Sequence, residues 1–186
     1  RIGTISSIAT HWLPKIIRRF RADYPKIEYE LVLGYYAEIE QWVAEGRVDC
    51  GFLRLPVKAD METVFLQEDP LLAVMPEEHP LARLERVPLA ALCGEPCLLL
   101  EKDVKGEILV LFERSGLIPQ VQLRTVDDYA VMSMVESGLG LSILPGLILR
   151  RIPYRIAARP LDVPASRRLA LRFAAWTRRR LPSSGS

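Results

Sequence analysis

Apolar residues at Ile8, Trp12, Leu13, Ile16, Ile17 and Phe20 recur at helical spacing over three turns. Pro14 lies inside that run, so the spacing predicts an irregular start and a main helix whose first turn holds the proline. Pro25 ends it. Arg1–Ile5 ahead of this helix is strand-like, and Ile27–Leu33 after it predicts a strand with Ile27, Tyr29, Leu31 and Leu33 on one face. Ile39, Trp42 and Val43 mark a second helix closed by Gly46. Val48–Leu53 is a nearly continuous apolar run, as expected of a strand buried on both faces. The alternation continues. Leu71–Met75, Cys97–Leu100, Val121–Thr125, Leu141–Leu144 and Leu169–Trp176 predict strands. Ile108–Ser115 and Asp127–Ser137 predict helices closed by Gly116 and Gly138. Strands separated by helices predict βαβ units and parallel pairing, and this many units in 186 residues fit two small sheets better than one large one.

Composition changes this picture little. Hydrophobic residues are 49% and charged residues 26%, an ordinary globular balance that excludes bulk disorder. No apolar run approaches the roughly 20 residues of a membrane span. With no basic-then-apolar leader and only Cys50, Cys93 and Cys97, a reducing cytoplasm is the expected home. Charge is more informative. The net charge is +2, yet residues 150–186 hold ten arginines and one acid, Asp162, which leaves 15 basic and 22 acidic residues elsewhere, a net of −7. A basic end on an acidic body suits either a directional contact, with a partner or a nucleic acid, or a solvated surface. The sequence opens at Arg1 without an initiator Met, and residues 181–186 read as a frayed end, so it is expected to be part of a longer protein.

Candidate chemistry collects where strands run into helices. Ser6 and Ser7 join the first strand to the first helix. There, unpaired N–H groups and the helix dipole suit a carboxylate or phosphate, or a serine simply caps the helix. Thr125 and Val126 open a similar loop, with Asp127 as the cap. Tyr35 and Tyr36 follow the second strand, where they would line a pocket or pack between lobes. Arg54 follows a buried strand, as an anion partner or as a salt bridge to Glu38 or Glu40. Enzyme signatures are missing. His11 and His79 are the only histidines, no zinc spacing exists, and there is no nucleophile elbow, phosphate loop or dinucleotide fingerprint, so no cofactor and no catalysis are expected. Cys93 and Cys97 fit small core hydrophobes better than a redox pair.

Four short motifs in order carry a resemblance. They are Arg1-Ile2-Gly3 with Leu13-Pro14 and Phe20-Arg21-x-x-Tyr24-Pro25; Gly46-Arg47-Val48-Asp49-Cys50-Gly51-Phe52; His79-Pro80-Leu81-Ala82; and Ser137-Gly138-Leu139-Gly140-Leu141-Ser142-Ile143-Leu144-Pro145. Together, over residues 1 to about 176, they resemble the effector-binding domain of LysR-type transcriptional regulators. The resemblance implies an α/β, two-lobed fold like type 2 periplasmic binding proteins, each lobe a small sheet flanked by helices, joined by two crossover strands. Lobe I would take residues 1–69 plus 160–186, and lobe II residues 70–159. It implies a ligand-sensing module with a small carboxylate or aromatic acid in the interlobe cleft, held by Ser6, Ser7, Tyr36 and Arg54 from one lobe and Val104, Lys105, Thr125 and Val126 from the other. It also implies a homodimer or homotetramer, and DNA contact only through a winged helix-turn-helix not contained in this sequence. An amphipathic C-terminal helix expected after Trp176 is not evident. The rivals are a transporter's solute-binding protein, a small enzyme on the same lobes, and a thiol redox sensor.

Overall fold

The computed structural model describes residues 1–58, 62–101 and 106–175. Strand β1 (Ile2–Thr4) runs into α1 (Ser6–His11), and α2 (Leu13–Asp23) follows at once with Pro14 in its first turn. The proline lacks an N–H, and the opening of a helix is where that loss is tolerated, so one periodic run becomes two helices. Next come β2 (Leu31–Leu33), α3 (Tyr36–Ala44), β3 (Cys50–Leu55) and the 13-residue β4 (Val64–Pro76). Then follow α4 (Leu89–Leu92), β5 (Pro96–Leu100), α5 (Glu107–Arg114), β6 (Gln120–Thr125), α6 (Asp128–Glu136), β7 (Ser142–Pro145), β8 (Ile156–Pro160) and β9 (Ser166–Phe173). Short 3-10 turns stand at Pro80–Arg83 and Gly146–Leu149.

β4 builds the hinge. It pairs with β9 from Val64 to Pro70, then with β7 and β8 from Leu71 to Pro76. The switch falls at Pro70, which cannot donate to a ladder. The chain returns between β8 and β9, which gives the second crossing. One lobe is therefore the sheet β2-β1-β3-β9 with the first half of β4. The other is β8, the second half of β4 and β7, joined to the parallel pair β5-β6 through Leu141, whose N–H and C=O bond Pro96 and Leu98. Pairing is mixed rather than parallel. β1-β2, β1-β3 and β5-β6 are parallel, whereas β3-β9, β4-β9, β4-β7 and β4-β8 are antiparallel, because the returning chain inserts β9 between β3 and β4.

Lobe I buries Ile8, Leu13, Ile39, Val43, Phe52 and Leu169 in one cluster, and Leu147 from the other lobe reaches into it. Gly51 supplies the flat floor for α3, since a Cβ there would lie 2.6 Å from Val43 Cγ2. The lobe II sheet is covered on both faces, by Phe112, Leu99 and Ile143 on one side and by Leu98, Val131, Met132 and Leu144 on the other. Several sequence expectations need correction. The strand predicted for residues 27–33 is only Leu31–Leu33, at the sheet edge, and the face predicted to hold Ile27, Tyr29, Leu31 and Leu33 is largely exposed: Ile27, Leu31 and Leu33, with Ile16, Phe20 and Tyr24, are exposed apolar side chains, and the Phe20 ring lies against Tyr24 and Tyr29. β4 extends well beyond the predicted Leu71–Met75, because its first half is mostly exposed and carries no alternation. β8 was not predicted at all. The basic end is not one free surface either, since Arg159 bonds the Ala82 carbonyl at 3.0 Å and Arg167 is buried.

Candidate functional site

The loops after β1, β2, β3 and β6 and the N-termini of α1, α3, α5 and α6 converge where the lobes meet. Their floor is Arg167 of β9. Its side chain is 5% exposed. The guanidinium Nε donates to Asp69 Oδ2 at 2.7 Å, Nη1 to the Tyr36 hydroxyl at 2.8 Å and Nη2 to Ser7 Oγ at 3.1 Å. Asp69, also buried, accepts from the Leu147 N–H through its other oxygen at 3.0 Å. One acid on the hinge strand thus ties β9 to the turn after β7. Burial opposes the charge on Arg167, but Tyr36, Asp69 and Glu107 hold its pKa above the usual arginine value. Burial pushes the Tyr36 phenol up to about 12, with the Glu107 charge adding to the rise, although Arg167 and Arg54 oppose it. Tyr36 is therefore protonated at neutral pH. It accepts from Arg167 and keeps its own proton to donate.

Above this floor lies a cavity of about 40 Å³, lined from lobe I by Ile5, Tyr36, Arg54 and Arg167 and from lobe II by residues that include Glu107 and Asp128. That holds a few waters and falls far below the roughly 300–1,000 Å³ of ordinary ligand pockets. The lobes are bridged over it. Arg54 Nη1 lies 3.0 Å from Glu107 Oε2, and the Arg54 guanidinium sits 5.1 Å from the Tyr36 ring centroid. Two larger grooves flank the cavity. One, of about 270 Å³, is lined by Ser6, Gly34, Tyr35 and Val126 among others. The other, of about 300 Å³, has Arg54, Glu107, Arg114 and Pro164 in its wall.

The predicted residues thus divide. Tyr36 and Arg54 line the inner cavity, Ser7 is buried and joins them through its bond to Arg167, and Ser6 and Val126 line the outer groove with Tyr35. Neither serine caps α1, whose N-cap is Ile5. Thr125 Oγ1 accepts from the Asp127 N–H at 3.1 Å, and Asp127 caps α6 through Tyr129 and Ala130 as expected. Val104 and Lys105 lie outside the described residues. Arg54 forms a salt bridge with Glu107 of the opposite lobe, while Glu38 accepts from the Tyr35 N–H and Glu40 from the Lys58 N–H. Sequence reasoning missed Arg167, Asp69 and Glu107. The only signal was an Asp-Pro step ahead of an apolar run, because 98 residues separate Asp69 from its arginine.

Among the described residues, no group of His, Cys, Asp and Glu could hold a metal ion, and no helix is long and apolar enough to cross a membrane. Burial pushes the Cys97 thiol up to about 11 and also raises Cys50, the opposite of what a reactive thiolate needs.

This is the architecture of a two-lobed effector-binding domain. The chain belongs to the LysR substrate binding domain family, whose model matches residues 1–184, and so to regulatory rather than catalytic modules. It is 29% identical over 163 residues to an uncharacterized HTH-type transcriptional regulator, YvbU of Bacillus subtilis, covering 87% of this chain and 56% of that protein. The crystal structure of HinK, a LysR family transcriptional regulator from Pseudomonas aeruginosa, is similar with a TM-score of 0.78 and 28% identity, covering 92% of this chain and 62% of HinK. The BenM effector binding domain, solved with its effector benzoate, shares the fold with a TM-score of 0.80 at 23% identity, covering 93% of this chain and 82% of that domain. The chain spans about half the length of the curated relatives it matches.

Proposed function

We propose that this chain is the small-carboxylate-sensing module of a LysR-type transcriptional regulator. An effector held between the lobes favours one arrangement of residues 1–69 with 160–175 against residues 70–159. That shift changes the geometry of a homo-oligomer and, through it, the spacing of DNA-binding units elsewhere in the whole protein. An effector does this only to the extent that it binds one arrangement more tightly. The observation that carries the reading is the Arg167 floor, where a buried cation that also holds Ser7 Oγ fixes the Tyr36 hydroxyl, whose proton is left to donate into a cavity between lobes. Arg54 adds a second cation, which suits an anionic group. BenM, on the same fold, binds a carboxylate, benzoate. A cavity of about 40 Å³ admits such a ligand only when the lobes part.

The test is a thermal-shift screen of the chain against benzoate, other aromatic acids and small aliphatic carboxylates. An effector at about 100 times its Kd adds about 2.7 kcal/mol of stability, which a melt resolves. Tyr36→Phe keeps the ring and deletes the hydroxyl. It should weaken a hit about tenfold, the worth of one hydrogen bond to a charged group. An unchanged Kd removes Tyr36 from the site.

Self-association is the second part of the proposal. The exposed apolar surface of α2 and the β2 edge, with Phe20, Tyr24, Ile27, Leu31 and Leu33, is the face on which a second copy would dock. Light scattering should give a dimer or tetramer that Phe20→Glu dissociates. A monomeric parent chain, or an oligomer indifferent to that change, would discard this face.

A further inference from the structure

We infer that Glu107 is a built-in competitor for the effector's anionic group. It holds Arg54 across the cleft until an incoming carboxylate displaces it. The inference rests on the sensor reading above and specifies how its site is regulated.

Three observations carry it. First, the described lining of the cavity already holds as many carboxylates as cations without any ligand. Lobe I contributes Arg54 and Arg167, lobe II contributes Glu107 and Asp128, and Arg167 is already satisfied by Asp69. Of the two arginines, the one open to exchange is Arg54, whose pair with Glu107 is half-buried, the side chains 25% and 23% exposed, whereas Arg167 and Asp69 are each 5% exposed.

Second, the two partners differ in how firmly they are placed. Arg54 projects from β3, beside β9, and lies over the Tyr36 ring, so its guanidinium stays aimed at the cleft when its carboxylate partner leaves. Glu107 is in the first turn of α5. Swung toward solvent, it still faces the positive end of its helix, and little is lost.

Third, the pair is a partition. Arg54 and Glu107 line both the inner cavity of about 40 Å³ and the flanking groove of about 300 Å³. Parting them joins the two spaces and provides room that the closed cavity lacks. Exchange also selects the ligand. A neutral molecule that displaced Glu107 would return nothing for the lost Arg54–Glu107 pair, whereas another carboxylate replaces it.

The probe is acetate, which reproduces the head of Glu107 and nothing else. Melting temperatures are measured in sodium acetate against sodium chloride of equal ionic strength, for the parent chain, Glu107→Gln, Glu107→Ala and the double variant Arg54→Gln/Glu107→Gln. Acetate should stabilise both Glu107 variants saturably, at concentrations at least about tenfold below any effect on the parent chain. The double variant should lose that response. Equal acetate responses in parent and Glu107 variants, no response in any of them, or a response that survives in the double variant would each overturn the inference. Acetate has no body to span the cleft, so its failure leaves the sensor reading to the effector screen. A screen without hits beside a positive acetate result would count against the sensor reading alone.

Discussion

Arg167→Met should destabilise the fold by about 3–5 kcal/mol, the usual loss when one partner of a buried ion pair is removed. For a chain of this length that is a fall in Tm on the order of 10 °C. Asp69 is 4% exposed and would be left as an uncompensated buried charge, while Tyr36 and Ser7 would lose the donor that orients them. Replacing both ions by apolar residues of similar volume is often far better tolerated than removing one. The double variant Arg167→Met/Asp69→Leu should therefore recover part of the loss. Recovery should be incomplete, because Asp69 also satisfies the Leu147 N–H, which leucine leaves buried and unpaired. Chemical and thermal melts of the three variants decide the matter. A single variant as stable as the parent chain would mean that the pair does not hold the hinge.

The same pair shows why one part of the site was legible in the sequence and another was not. Ser7 and Tyr36 sit in the first turn of a helix just past a strand and Arg54 near the C-terminal end of one, and local pattern finds such positions, since strand ends and helix starts are written in hydrophobic periodicity. Arg167 and Asp69 sit inside strands, among neighbours that give no reason to expect a buried charge. Only the antiparallel register of β4 on β9, which sets Asp69 opposite Arg167, makes them partners. Glu107 is similar: its meaning comes from the opposite lobe, and no local signal encodes that. The elements themselves followed the pattern well where both faces are buried, as in β3 and β7. They failed where burial is absent, as in the first half of β4 and in residues 27–30. The apolar residues of the β2 edge share one face, and periodicity reports that such a face is apolar but says nothing of what covers it.

Gly140→Ala should be the second most damaging substitution, about 1–3 kcal/mol by the usual measure of overpacking a well-packed core. Two glycines stand in the Ser137–Pro145 motif for different reasons. Gly138 closes α6 with a φ of +78°, and open space surrounds its missing Cβ, so only backbone conformation is at issue. Alanine there costs about 1–2 kcal/mol for the left-handed conformation, and asparagine costs less. Gly140 has no such φ but no room either. A Cβ would lie 2.5 Å from the Pro96 carbonyl oxygen and 3.0 Å from Leu98 Cγ. That carbonyl is held by the Leu141 N–H at 2.9 Å, the bond that seats β7 against β5, so relief requires the two strands to separate. β7 leads straight to the cleft, where Ile143 and Pro145 line the inner cavity. The damage should therefore reach binding as well as stability. In denaturant melts Gly140→Ala should fall well below Gly138→Asn, and in the effector screen it should weaken a hit that Gly138→Asn preserves. Equal stability of the two variants would show that the β5–β7 contact yields freely, and that close approach of the strands is not what requires a glycine at position 140.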